Sequence, residues 1–239
     1  RDKAERDRVQ QQASELIRKV ENDLEKNRKK LAKQEAELVA TDNAEEFRQK
    51  GELLTTFLHQ VPNDQDQVVL DNYYTNEPVT IQLNKALTPN QNAQRYFKRY
   101  QKLKEAVKHL TILIQETKET ISYLETVETA LSQASLAEVA EIREELIQTG
   151  FIKRRNREKI HKRKKPKKYL ASDGKTIILV GRNNLQNDEL TFKIAKKDEL
   201  WFHAKDIPGS HVVITGNLNP SDEVKTDAAE LAAYYSKAR

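Results

Sequence analysis

Cysteine is absent from this sequence, which excludes disulfides and thiolate metal sites and suits a reducing compartment such as the cytoplasm. Methionine is absent too. A chain that opens on Arg1 without one and breaks off at Arg239 in mid-pattern is expected to be a portion of a longer protein. No run of about 18 apolar residues occurs, and the opening RDKAERDR lacks the apolar centre of a signal peptide, so no membrane partner is expected. Walker loops, G-x-G-x-x-G turns and G-x-S-x-G elbows are missing as well. Apolar residues are scarce: they make up 37% against 33% charged, with a mean hydropathy of −0.84. That supply is thin for a globule of this length and suits elongated helices with a narrow buried stripe.

What is abundant is charge, unevenly placed. The segment KRRNREKIHKRKKPKK holds Lys153, Arg154, Arg155, Arg157, Lys159, Lys162, Arg163, Lys164, Lys165, Lys167 and Lys168 against one acid. It therefore carries +10, and the remaining chain −5. A solvated charge block is the plain reading. Against it, arginine forks suited to phosphate oxygens are mixed with lysine, and the run joins two ordered-looking regions. A polyanion contact is expected there.

Two helical seams precede it. Ala13, Ile17, Val20, Leu24, Asn27, Leu31, Gln34 and Leu38 recur at alternating spacings of four and three, a heptad pattern interrupted by two amides that can set register. Forty residues of helix would reach roughly 60 Å. Tyr96, Tyr100, Leu103, Val107, Leu110, Ile114, Thr117, Ile121, Leu124, Glu128 and Leu131 form the second seam. It starts behind Thr88 as N-cap, Pro89, and Gln91 closing a capping box. An antiparallel hairpin is expected; a parallel homodimer of each helix competes, so self-association through the coils stays open. Between the seams, a helix from about Asn43 to His59 capped by Asp42, then strands at Val68–Leu70 and Val79–Leu83, should build a small tip. His59 and His109 read as packing or surface residues. A further helix starts at Ser135 with Glu138 in an S-x-x-E box and ends at Gly150, with Leu136, Val139, Ile142 and Leu146 on one face.

After Lys168 the period drops to two. A hairpin turns at Ser172-Asp173-Gly174, a polar loop spans Gly181–Asn184, and a short helical stretch covers LTFKIAKK. Strands follow at Leu200–Ala204 and Val212–Thr215 around KDIPGSH, and a last helix begins at Pro220-Ser221. The fold class is α+β. The expected division is 1–134 for the coiled arm with a tip insertion around 41–88, 135–168 for a connecting helix and basic linker, and 169–239 for the terminal module.

The segments YLASDGKTIILVGRNNLQND, DELWFHAKDIPGSHVVI and AAELAAYYSKAR resemble the RNA-binding module (NFACT-R) of the NFACT family. Residues 1–134 resemble the coiled middle arm that precedes it there. WFHAKDIPGSHVV, from Trp201 to Val213, is the most specific of these stretches, and its phrasing suggests a bacterial, Firmicutes-type sequence. Two departures stand out: the family's N-terminal domain and helix-hairpin-helix region are not in this chain, and the module is expected to end before its final strands. The resemblance implies ribosome quality control. In that process the large ribosomal subunit carrying peptidyl-tRNA is bound, alanyl-tRNA is recruited, and alanine tails are added by the ribosome's own chemistry. The arm would reach toward the stalk base while the module helps to hold tRNA. Some family names instead record fibronectin binding, which would make the chain part of a surface adhesin, with secondary display at the cell surface.

Residue chemistry fits the RNA reading without compelling it. Trp201 offers a stacking face, or a core side chain on a strand; alternation puts His203 on its side and Leu200 and Phe202 on the other. His203, Lys205 and His211 bracket Pro208-Gly209-Ser210, where Gly209 and Ser210 either expose N–H groups to phosphate or form a stiff loop. Asn183, Asn184, Gln186, Asn187 and Asp188 suit base edges and 2′-hydroxyls, or satisfy their own loop. His203, Asp206, Ser210 and His211 include hydrolase residue types, but neighbours so close in sequence rarely converge as a triad. The two histidines and Asp206 have weak metal spacing. No catalysis, metal or cofactor is expected.

Overall fold

The computed structural model describes residues 2–239. The chain forms two compact units: Lys29–Lys118, and the segment up to Arg28 combined with Glu119–Arg239. Helices α1 (Asp2–Ala40) and α3 (Pro89–Ser132) contribute to both. They run antiparallel, with Arg28 paired to Glu125 in one unit and Gln34 bonded to Thr117 in the other. Among the described residues no helix is long and apolar enough to cross a membrane.

In the Lys29–Lys118 unit the amide at Gln34 sets register as such residues do in coiled coils. Its carbonyl accepts the Thr117 hydroxyl at 2.8 Å in a buried seam. Asn27, the other amide of the α1 seam, turns instead to its own helix and donates to the Asp23 carbonyl at 2.8 Å. Thr88 and Gln91 close the expected capping box ahead of Pro89. Helix α2 (Ala44–Thr56) starts one residue later than expected, with Asn43 rather than Asp42 at the N-cap and no side-chain bond there. It stops at Thr56, before a separate 3₁₀ turn at Leu58–Gln60. Gly51 lets α2 approach α3 closely, since a Cβ there would lie 2.9 Å from the Phe97 ring. Strands β1 (Gln67–Asn72) and β2 (Glu77–Gln82) pair antiparallel and turn Val68, Leu70 and Ile81 onto Leu53, Leu54 and Ala93.

In the other unit, α4 (Leu136–Gln148) folds back on the helix pair behind a complete Ser135–Glu138 capping box. Val139, Ile142 and Leu146 pack with Leu16, Val20 and Leu24 of α1 and Leu124, Val127 and Leu131 of α3. This third neighbour widens the buried stripe of α1, which is why Leu16 is buried although it lies off the two-helix seam. Leu136, counted on the apolar face, is exposed.

The C-terminal module is a four-stranded antiparallel sheet in the order β3 (Lys167–Leu170), β4 (Ile177–Val180), β6 (Val212–Thr215), β5 (Trp201–Phe202). Helix α6 (Asp222–Tyr234) covers one face through Val224, Ala228 and Ala232 against Ile178, Val180, Val212 and Ile214. The other face holds Leu179 and Val213 under Leu190. The expected polar loop holds for Gly181–Asn183, but the helix after it starts earlier than LTFKIAKK: Asn183 caps a short helix, α5 (Asn184–Glu189), which runs into a π-helical turn at Leu190–Ile194. The strand expected over Leu200–Ala204 shrinks to two residues, because the chain leaves β6 at His203. Arg182 fastens the module to the helices. Its guanidinium reaches Glu138 Oε1 at 3.2 Å and the Gln133 carbonyl at 2.8 Å, and lies 3.9 Å from the Tyr235 ring.

Glu145, 1% exposed on α4, sits in this packing with one carboxylate oxygen lacking a hydrogen-bond partner. Burial pushes its carboxyl up to about 7, with Asn184 and Tyr123 tempering the rise and the charge of Asp188 adding to it. A folded value above the unfolded one means that this group's stabilisation is full below about pH 4.5 and is lost as pH rises through about 7. Glu145→Gln keeps the shape without the ionisation. Thermal melts of the variant should match the wild type near about pH 4 and exceed it near about pH 8.5, by up to roughly 3 kcal/mol. Parallel pH profiles for the two proteins would refute the linkage.

Candidate functional site

The sheet register assembles one surface. Lys168 pairs with Leu179, Leu179 with Val213, and Val213 with Trp201, so these four side chains share a face. Leu190 of the π turn packs on the middle of this row, while Lys168 and Trp201 stay exposed at its two ends. Trp201 is 50% exposed, which removes the core reading of that residue. His203 stacks on it at 5.7 Å between ring centroids with an interplanar angle of 11°. His211 stands edge-on to both rings, 5.3 Å from each. The expected pairing of Trp201 with His203 therefore holds, and His211 completes a three-ring cluster.

His211 is held from two directions. Its backbone N–H donates to Asn187 Oδ1 at 3.1 Å, and its Nδ1 lies 2.7 Å from the Thr191 hydroxyl. Gly181 makes the first contact possible, because a Cβ there would come within 2.0 Å of Asn187 Oδ1. Burial pushes the His211 imidazole below its ordinary value, the neighbouring His203 adds to the drop, and Asp188 opposes it.

Beside the ring cluster, a cleft of about 790 Å³ separates the module from α3. Ser122, Glu125 and Thr126 line one wall; Asn184, His203, Asp206 and His211 are among the residues of the other. No lysine or arginine lines it among the described residues. Hydroxyl, amide and imidazole groups suit a base or ribose better than a phosphate, which calls for cations.

The cations lie on the linker, and the structure divides them. Lys153, Arg157, Lys159, Lys162, Lys165 and Lys168 are exposed and make no ion pair among the described residues. Lys167 is exposed as well, its ammonium 5.3 Å from the Tyr169 ring centroid. The others are engaged. Arg154 forms a two-point pair with Glu144 at 2.5 and 2.9 Å, Arg155 reaches Glu15 at 3.1 Å, and Lys164 lies 4.0 Å from Glu141. Arg163 donates to the Gln148 side chain at 3.3 Å.

Several expected contacts face inward. Asn183 is buried: it caps α5 and donates to Glu141 Oε2 at 3.2 Å, beside Gln186, which donates to the same oxygen at 2.9 Å. These amides satisfy a buried carboxylate and are not free to read base edges. Gly209 and Ser210 are buried too. Ser210 N–H donates to the Tyr235 carbonyl at 3.0 Å, and a Cβ on Gly209 would meet Ser236 Cα at 3.1 Å. The glycine admits the chain's own C-terminal segment, so the phosphate-cradling reading of this turn does not hold for the Ser210 N–H. Asn184 lines the cleft; Asp188 and Lys205 are exposed.

Sequence reasoning missed Phe192, 79% exposed on the π turn one residue beyond Thr191, and Glu141, Glu144 and Glu145 of α4. An exposed aromatic among Lys193, Lys196 and Lys197 was a readable signal, as were carboxylates at positions 138, 141, 144 and 145 shortly before a +10 segment.

Trp201 is the chain's single tryptophan, so its emission reports on this cluster alone. Protonated imidazole quenches indole more strongly than neutral imidazole does. Emission should fall in a step as acid charges His211, centred below the ordinary 6.5. His211→Asn should remove that step; an unchanged titration in the variant would contradict the cluster geometry.

Comparison with known proteins fits this arrangement. Residues 1–165 match the family model for NFACT N-terminal and middle domains, and residues 165–239 match that for the NFACT protein RNA binding domain. The protein called Rqc2 homolog RqcH in Streptococcus pneumoniae (serotype 2, strain D39) is 82% identical over the whole of this chain. Its namesake in Bacillus subtilis (strain 168) is 43% identical over 99% of it. The chain spans only 43% and 42% of the length of these two relatives. A solved structure, described as the C-terminal of the fibronectin/fibrinogen-binding protein from Streptococcus suis (FBPS), is 67% identical. It superposes with a TM-score of 0.79 over 97% of this chain and 80% of that one. With both of its parts matched end to end, the chain belongs to the NFACT family.

Proposed function

We propose that this chain is the RNA-gripping part of a ribosome quality control factor. In this reading it binds the large ribosomal subunit carrying peptidyl-tRNA and helps to recruit alanyl-tRNA for tailing of the stalled chain, in the cytoplasm. The observation that carries it is the pairing of a stacking surface with a phosphate surface: exposed Trp201 with its two imidazoles at one end of a sheet row, unpaired linker cations leading to Lys168 at the other. Aromatic faces tolerate any base and cations track the backbone, which is how single-stranded RNA is held without strong sequence preference. Bond formation belongs to the ribosome, so the chain is read as non-catalytic. The names of its relatives and the matched RNA-binding model support the assignment.

A second reading rests on one observation, the likeness to the Streptococcus suis protein that is called fibronectin/fibrinogen-binding. In that reading the chain is part of a surface adhesin. The two readings differ in salt response. With about seven cations on single-stranded RNA, affinity should drop about a thousandfold between about 50 and 200 mM salt. Trp201→Ala should weaken binding by about 1–3 kcal/mol at every salt concentration without changing the slope, whereas neutralising linker lysines should flatten it. Fibronectin binding that survives high salt, with no RNA affinity, would favour the adhesin. For the parent protein, crosslinking in cells should recover large-subunit RNA together with one tRNA species; its absence would remove the ribosomal assignment.

A further inference from the structure

The linker that should hold phosphate is already holding carboxylates. Glu144 is 6% exposed and grips Arg154 through both oxygens, with the Arg154 guanidinium holding its carboxyl below the usual range. Its Oε2 also accepts the His161 N–H at 3.5 Å. One turn earlier, Glu141 Oε1 is buried with no hydrogen-bond partner, and the Lys164 ammonium stands 4.0 Å away, just beyond bonding distance. Glu158, the linker's one acid, is bound by Arg143 at 2.7 and 3.1 Å and accepts the Arg155 N–H at 2.9 Å, which pins the turn at Arg155 to α4. From α1, Glu15 takes the Arg155 side chain.

We infer that α4, with Glu15, acts as an internal polyanion that occupies Arg154, Arg155 and Lys164 in the free protein, so that RNA must displace these carboxylates to engage the whole linker. The inference rests on the RNA reading above. Its physical basis is competition for the same donors: a guanidinium forked onto a carboxylate presents those N–H groups to no phosphate until the pair opens. The contacts are graded for release. The Glu15 pair is more than half exposed on both sides and the Lys164 pair is long at 4.0 Å, so each is a weak hold, whereas the two-point Glu144 pair is the firm one.

Fluorescence anisotropy of the full 239-residue chain with labelled oligouridylate tests this. Glu144→Gln and Glu15→Gln should each tighten binding about two- to fivefold near 50 mM salt, the range expected for a partly exposed pair. Each should also steepen the salt slope by about 0.7 per cation released to a single strand. Glu223→Gln, which raises the net charge equally but removes no linker contact, should do neither. Unchanged or weakened binding in both linker variants would overturn the clamp, as would equal tightening in Glu223→Gln. Should Glu144→Gln disturb the melt, Glu15→Gln, on an exposed pair, decides alone. The combined Lys162→Gln, Arg163→Gln, Lys165→Gln variant separates the two claims. If it leaves RNA affinity intact, the RNA reading fails and the clamp with it; if it abolishes affinity while the glutamate variants show no gain, only the clamp fails.

Discussion

Four carboxylates on one helix organise everything C-terminal to the coiled pair. Glu138, Glu141, Glu144 and Glu145 fall within two turns of α4, and all are at least partly buried. Carboxylates removed from water must be ion-paired, hydrogen-bonded or protonated. Each here meets that demand differently. Glu138 takes Arg182 from the module, Glu141 takes two amides, Glu144 takes Arg154 from the linker, and burial raises Glu145 toward the neutral form. The opposite face of α4 supplies Val139, Ile142 and Leu146 to the three-helix core. One thirteen-residue helix thus joins a hydrophobic contact on one side to a polar contact on the other.

That demand reaches into the module. Asn183 and Gln186 have the chemistry of RNA readers, yet they form the hydrogen-bond shell of Glu141, and Arg182 anchors to Glu138 and Gln133 instead of reaching outward. Arg182, Asn183 and Gln186 of the polar stretch therefore serve attachment. What remains for a ligand is the other edge of the sheet, where Trp201 ends its row exposed, and the linker cations that no carboxylate has taken. The exposed cations and the exposed ring cluster fall on different elements, the linker and the β5 edge, at opposite ends of the sheet order β3-β4-β6-β5.

Much of this is legible in the sequence wherever a local rule decides. The capping boxes at Thr88 and Ser135 and the β1–β2 hairpin follow from neighbours a few residues apart, and their spacing expresses them. The failures are tertiary. Leu16 reads as an off-seam residue because nothing local announces α4 as a third helix over α1. Asn183 reads as a candidate RNA contact because its partner Glu141 lies forty-two positions earlier. Gly209 reads as a turn glycine, although what requires it is the approach of Ser236. Trp201 cannot be placed by alternation, which names the side of a strand but not which side is covered; only the pairing with Val213 puts it on the face away from α6.

Glu141 shows how attachment and release coexist on one side chain. Its Oε2 accepts both Asn183 and Gln186 and so belongs to the module's anchorage. Its Oε1 has no hydrogen-bond partner and faces only the distant Lys164 ammonium. Burial raises the carboxyl above its ordinary value, against the pull of Lys164 and of the two amides. Moving Lys164 away would leave both amide bonds in place. The bonds that fix the module on α4 and the contact that faces the lysine therefore use different oxygens of one carboxylate.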